Sequence, residues 1–194
     1  MENDQKGATG GEDTVDDKIM EQGVVVFRGY VIESARIDYP EMHLGPEDIG
    51  GRADEGREPE VKEIVSHLLK IAADLNRDTE LERLINQVDL DSVQDVFFSV
   101  ARKIFSEGVN WGRLVAFFHF GYRLIYKALT KNHTEIINRI VAWVLQFIRE
   151  NIAPWIRRNG GWGGVVNRVL QWNNVVTFAA GILTGALLYW KMAN

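Results

Sequence analysis

The 194-residue chain has no cysteine and only four prolines. Without a thiol it has no disulfide framework, no cysteine-ligated zinc or iron–sulfur site and no thiolate nucleophile. Acid is scarce in one half. Residues 96–194 hold 3 acidic and 12 basic side chains, a net of +9, against 24 acidic and 10 basic, a net of −14, over residues 1–95. The first fifteen positions, MENDQKGATGGEDTV, are polar and acidic and contain no apolar run. No secretory leader is therefore expected, and 1–15 reads as a disordered tail. Nowhere is there an apolar/polar alternation long enough for a strand, so the chain reads as all-α. Hydrophobic residues at 46% and charged residues at 25% are ordinary for a globular protein. The length suits one domain. The mean hydropathy of −0.14 averages two unlike halves.

The spacing predicts about eight or nine helices. A helix over 16–37 follows the Thr14–Asp17 capping spacing, with Met20, Val24, Phe27 and Val31 on one stripe. Residues 38–58, rich in glycine, proline and acid, read as a long mobile loop. Pro59 opens a helix to about 76 whose Val61, Ile64, Val65, Leu68, Ile71 and Leu75 recur at steps of three and four. A short helix surrounds Leu81, Leu84, Ile85 and Val88. Ser92 and Asp95 cap another, which ends near Gly108. Residues 111–129 are apolar nearly all round, the mark of a buried central helix or a membrane-active one. Thr134 reads as the N-cap of a further apolar helix to about 151. Pro154 and the Gly160–Gly164 stretch break the next part of the chain into short helices. Val175–Trp190 contains no charge over sixteen residues. As a helix it spans roughly 24 Å at about 1.5 Å per residue, a short membrane span. Trp172, Tyr189 and Trp190 suit the interfaces, with Lys191 just beyond.

Motifs for chemistry are lacking. His43, His67, His119 and His133 are scattered, with no metal-binding pair. Asp89, Asp91 and Asp95 begin like a calcium loop, but Val93 takes a ligand position, so capping explains them. No nucleophile–base arrangement, metal site or cofactor motif is visible, and no enzyme is expected. The cations of the second half lie dispersed among Phe, Trp and Ile. They form no basic reading face, so the expected partner is a membrane and not nucleic acid.

Two motifs carry a resemblance. Ser106-Glu107-Gly108-Val109-Asn110-Trp111-Gly112-Arg113-Leu114 resembles the BH1 region of the Bcl-2 family of apoptosis regulators. Trp155 through Gly160-Gly161-Trp162 resembles its BH2 region. The run Val88–Phe98 and the tail Thr177–Met192 are most similar to the family's pro-apoptotic effectors. The resemblance implies a Bcl-2-like domain over 16–170, with a BH3 helix at 59–76, BH1 at 106–121, BH2 at 154–169 and a tail anchor at 172–192. It implies a bundle around a hydrophobic central helix, with a groove that takes a BH3 helix.

On that resemblance Ile64, Leu68, Ile71 and Leu75 are the BH3 anchors. Ala72 stands at the small position, and Asp74 comes one residue after the usual acid. Asn110, Trp111, Gly112 and Arg113 belong to the groove, with Arg113 as partner of the BH3 acid. Trp155, Gly160, Gly161 and Trp162 are BH2 residues. Val175, Gly181, Gly185, Trp190 and Lys191 mark the anchor. The implied function is membrane permeabilisation. A BH3 helix activates the chain, which moves from the cytoplasm to the mitochondrial outer membrane, exchanges its own BH3 helix and forms homodimers and larger oligomers. The hairpin 111–150 would then lie in the membrane, with Arg123, Lys127, Lys131, Arg139 and Arg149 near anionic headgroups. The alternative is a survival protein that captures BH3 helices without forming pores. Partners are BH3-containing proteins, a second copy and mitochondrial lipids.

Overall fold

The structure is a computed structural model. It describes residues 9–73, 75, 78–164 and 175–193, except the side chains of 9–13 and 175–178. The elements are α1 (Thr9–Asp38), α2 (Pro59–Ala72), α3 (Thr79–Asn86), α4 (Val93–Ile104), α5 (Trp111–Thr130), α6 (Thr134–Phe147), α7 (Ala153–Arg158) and α8 (Val175–Ala193). No strand occurs among the described residues. The expected all-α bundle around a hydrophobic central helix is the fold observed. Helix α5 is that centre, and α1, α2, α3, α4, α6 and α8 all pack on it.

The central place of α5 follows from its side chains. Leu114, Val115, Ala116, Phe117, Phe118, Phe120, Leu124 and Ile125 are all shielded from solvent, on every side of the helix. Phe117 and Phe118 anchor an aromatic cluster. Phe117 meets Phe97, Phe105 and Phe147 at ring-centroid distances of 5.7, 5.5 and 5.1 Å. Phe118 meets Phe27 at 5.3 Å and Trp162 at 6.1 Å. Such pairs add stabilisation beyond the apolar area they bury.

Several local expectations change. Helix α1 starts at Thr9, so residues 9–15 are helical and the Thr14–Asp17 spacing lies inside the helix. Its buried face is Ile19, Val26, Phe27, Tyr30, Val31 and Ala35, which leaves Met20 and Val24 at the margin. Residues 38–58 are tied to the bundle rather than loose. Pro46–Ile49 form a 3-10 turn whose Ile49 is fully buried. Glu55 takes both Nε and Nη2 of Arg28, at 2.5 and 3.0 Å. One apolar side chain and one two-pronged ion pair hold a segment whose composition alone suggests mobility.

Ser92 makes no side-chain cap. Asp89 instead accepts from the Asp91 amide at 3.0 Å and caps the 3-10 turn ahead of α4. Thr134 is the first residue of α6, preceded by His133. Pro154 does not break the chain. A π-helical turn over Ile148–Ile152 widens the helix ahead of it and leads into α7. A wide turn relieves the clash and the missing N–H that proline brings to an α-helix.

Candidate functional site

Helix α2 carries three of the four expected BH3 anchors inward, and the fourth follows it. Ile64, Leu68, Ile71 and Leu75 are buried, as is Ala72. Helix α2 ends at Ala72, so Leu75 lies past its C-terminus. Asp74 lies outside the described residues. Each buried anchor withholds from water about 1.5–3 kcal/mol of transfer free energy, which another apolar groove would equally supply.

The start of α5 is built by its own sequence. Asn110 is extended, and its Oδ1 accepts from the Arg113 amide at 2.9 Å, closing the first turn. Gly108 precedes it at φ 112, a conformation that favours glycine. Its carbonyl accepts from Arg113 Nη1 at 3.1 Å, and Glu107 accepts from Nη2 at 3.4 Å. Arg113 is thus folded back over the turn that precedes its helix. Trp111 and Gly112 are buried beneath. Asn110→Ala is expected to lower stability by about 1 kcal/mol through loss of the cap, read as a lower urea midpoint with unchanged slope.

The expected BH2 residues divide. Gly160 and Gly161 turn the chain at φ 84 and 83, and Trp155 is half-buried. Trp162 is fully enclosed and its Nε1 donates to the Ile19 carbonyl at 3.0 Å. Gly23 of α1 leaves space for that indole, since a Cβ there would stand 3.3 Å from Cζ2. Trp162 therefore fastens α1, and Arg157 adds two 2.9 Å bonds to Asp16.

Helix α8 lies along α5, α4, α3 and α2. It buries Ala179, Leu183, Ala186 and Leu187 there. Gly181 and Gly185 face open space on the other side, beside exposed Leu188 and Met192. Lys103 sits 4.4 Å above the Tyr189 ring, Trp190 is half-buried and Lys191 is exposed. The side chain of Val175, and all of 172–174, lie outside the described residues. Among the described residues no helix is long and apolar enough to cross a membrane. Here, α8 is a bundle helix on a groove, not a spanning one. Thr184 Oγ1 is buried without a hydrogen-bond partner among the described residues. Removing that hydroxyl by Thr184→Val is expected to tighten the seat of α8 by about 1 kcal/mol, measured as slower hydrogen exchange of the α8 amides.

A polar seam that sequence reasoning missed joins α5 to its neighbours. Tyr30 and His119 share a fully buried hydrogen bond of 3.0 Å. Burial pushes the His119 imidazole down to about 3, with the Arg123 charge acting in the same direction. Burial likewise raises the Tyr30 and Tyr122 phenols. Tyr122 donates to Asp38 at 2.7 Å, and Arg123 reaches Tyr39 at 3.3 Å and Glu82 at 3.7 Å. Lys127 Nζ donates to the carbonyls of Ile85, Asn86 and Val88, crowning the C-terminus of α3. Arg123 and Lys127 are thus internal fasteners in this state, not surface cations. The signal in the sequence is the polar residues interrupting an otherwise apolar α5. Among the described residues no cluster of side chains could hold a metal ion.

The family of apoptosis regulator proteins called Bcl-2 matches over residues 68–162. Apoptosis regulator BAX of Homo sapiens is 37% identical over 188 residues, covering 94% of each chain. The chain belongs to the Bcl-2 family. Within that family the likeness to Bax runs along the whole chain. By contrast, Bcl-2-like protein 1 of Gallus gallus matches at 39% identity over 46% of this chain. The Bcl-2 fold is shared with crystalline chicken BOK, at a TM-score of 0.66 and 22% identity over 79% of this chain and 98% of that one. It is shared also with Trichoplax adhaerens trBcl-2L2, at a TM-score of 0.62 and 22% identity over 77% of this chain and 98% of that one. The latter was solved bound to the trBak BH3 segment. The chain is a Bax-like member of a family of regulators of apoptosis.

Proposed function

We propose that this Bax-like chain is a pro-apoptotic effector that permeabilises the mitochondrial outer membrane. The observation that carries the reading is whole-length similarity to Bax, with 94% of both chains aligned. At rest the protein is cytoplasmic, and α8 covers its own groove. A BH3 helix from another family member displaces α8, which becomes a membrane anchor. Helix α2 then leaves the bundle, and Ile64, Leu68, Ile71 and Leu75 enter the groove of a second copy, near Arg113. Membrane apolar surface replaces what α8 loses on leaving α5, so the exchange has a modest net cost. Helices α5 and α6 spread on the membrane once Arg123 and Lys127 give up α3 for anionic headgroups. Oligomers of such units rupture the bilayer.

The test is dye release from cardiolipin-containing vesicles on addition of an activating BH3 peptide. Leakage that requires both the peptide and residues 172–194 is the expected result. Peptide binding without leakage identifies instead a survival protein that sequesters BH3 helices.

A further inference from the structure

A groove of about 710 Å³ lies beside the anchors, on the flank of α2 that faces α1. Its floor is one ridge of α2, Val61, Val65 and Leu69, facing Ile32 of α1. The next ridge of the same helix forms the rim, with Lys62, Ser66 and Lys70 at successive four-residue steps, all exposed. Gly29 lets the two helices approach, since a Cβ there would stand 3.0 Å from Val65 Cγ2. Leu44 and Pro46 close one end.

The charges are unbalanced in a specific way. The carboxylates on the lining are Glu33 and Glu55, and both are engaged, with Arg36 at 2.8 Å and with Arg28 at 2.5 Å. Lys62 and Lys70 have no side-chain partner among the described residues. An apolar trough of small-molecule size, edged by two ammonium groups about 12 Å apart along one helix that have no side-chain partner among the described residues, is complementary to a chain with an anionic head.

We propose that this groove binds a single-chain fatty acid, its alkyl tail on Val61, Val65, Leu69 and Ile32 and its carboxylate on Lys62 or Lys70. Because the seat is made jointly by α1 and α2, the bound acid holds α2 in the resting bundle and opposes its exchange. That consequence rests on the effector reading; the binding does not.

Titration of the full-length chain with monomeric dodecanoate, in buffer without lipid, tests the site. Saturable binding of one dodecanoate per chain is expected, with a rise in melting temperature. Lys62→Glu combined with Lys70→Glu, at exposed positions that leave helicity unchanged, weakens it at least tenfold. Dodecanol, which lacks the charge, binds at least tenfold more weakly, and Ser66→Trp fills the trough and abolishes binding. Equal affinity for dodecanol and dodecanoate overturns the proposal, as does full affinity in the double variant. Displacement of α8 by dodecanoate, seen as faster labelling of an Ala186→Cys reporter, puts the seat in the α8 groove and equally overturns it. Vesicle leakage then tests the clamp separately. Dodecanoate slows BH3-triggered leakage by the wild type and leaves the double variant unaffected.

Discussion

Replacing Leu183 by glutamate is expected to expel α8 from its groove. Leu183 is fully enclosed between α8 and the bundle. A carboxylate there loses its hydration and finds no paired cation. Stranding one unpaired charge costs about 3–5 kcal/mol, a shift of roughly 10²–10⁴-fold toward the undocked tail. The absence of cysteine makes this simple to measure. Ala186→Cys places one small thiol at a buried position on the docked face, and its labelling rate reports how often α8 lifts away. The Leu183→Glu change accelerates that labelling roughly 10²–10⁴-fold. Gly185→Glu puts the same charge on the open face, where an added Cβ meets nothing within 4 Å, and leaves the rate near that of the parent. If the two glutamates act alike, general polarity of the tail, and not its seat on α5, sets the docking equilibrium. Neither variant should gain membrane insertion, because the added charge also opposes entry into hydrocarbon.

Helices α2 and α5 were legible in the sequence because their signals are local. In α2 the apolar residues recur every three or four positions, and α5 is apolar nearly all round. The place of α8 was not legible. An apolar helix of nineteen residues satisfies a groove as well as a bilayer, and only the tertiary packing of Ala179, Leu183, Ala186 and Leu187 distinguishes them. The docked segment 38–58 was equally hidden. Its order depends on Ile49 and on the Arg28–Glu55 pair, 27 residues apart in sequence. The turn at Asn110–Arg113 is local and could be read as a cap. Trp162 reads as part of the same surface, yet it closes on the Ile19 carbonyl 143 residues away. Long-range partners of this kind leave no periodic trace, which is why the fasteners around α5 stayed hidden in the sequence while α5 itself was plain.

Those fasteners give the second large effect, an acid sensitivity centred on His119. Its imidazole is buried, bonded to Tyr30, and held down to about 3 chiefly by burial and secondly by Arg123. In the unfolded chain the same group titrates near 6.5. Between these values the unfolded state binds one proton more than the native state, so stability rises with pH across that window. As pH falls below about 6.5 the native state loses about 1.4 kcal/mol per unit, and about 5 kcal/mol in all by pH 3. Groups around the ring carry charge of both signs: Arg123 on α5, Glu82 on α3, and Asp78 before it all line a small void at its edge. None of them removes the cost of burying an imidazolium against the Tyr30 hydroxyl. Urea midpoints measured from pH 7.5 to pH 4 therefore fall steeply in the wild type. His119→Gln keeps a polar partner for Tyr30 but cannot titrate, so its midpoints fall by about 3 kcal/mol less over the same range. Matching slopes in the two proteins would assign the acid sensitivity to the carboxylates of α1 and α3 instead. Because Tyr30 stands on α1 and His119 on α5, protonation places a buried imidazolium, with its desolvation cost, at the contact between those two helices. Within the folded chain, the first consequence of acid is then expected in α1, as early loss of amide protection along its Phe27–Ala35 face.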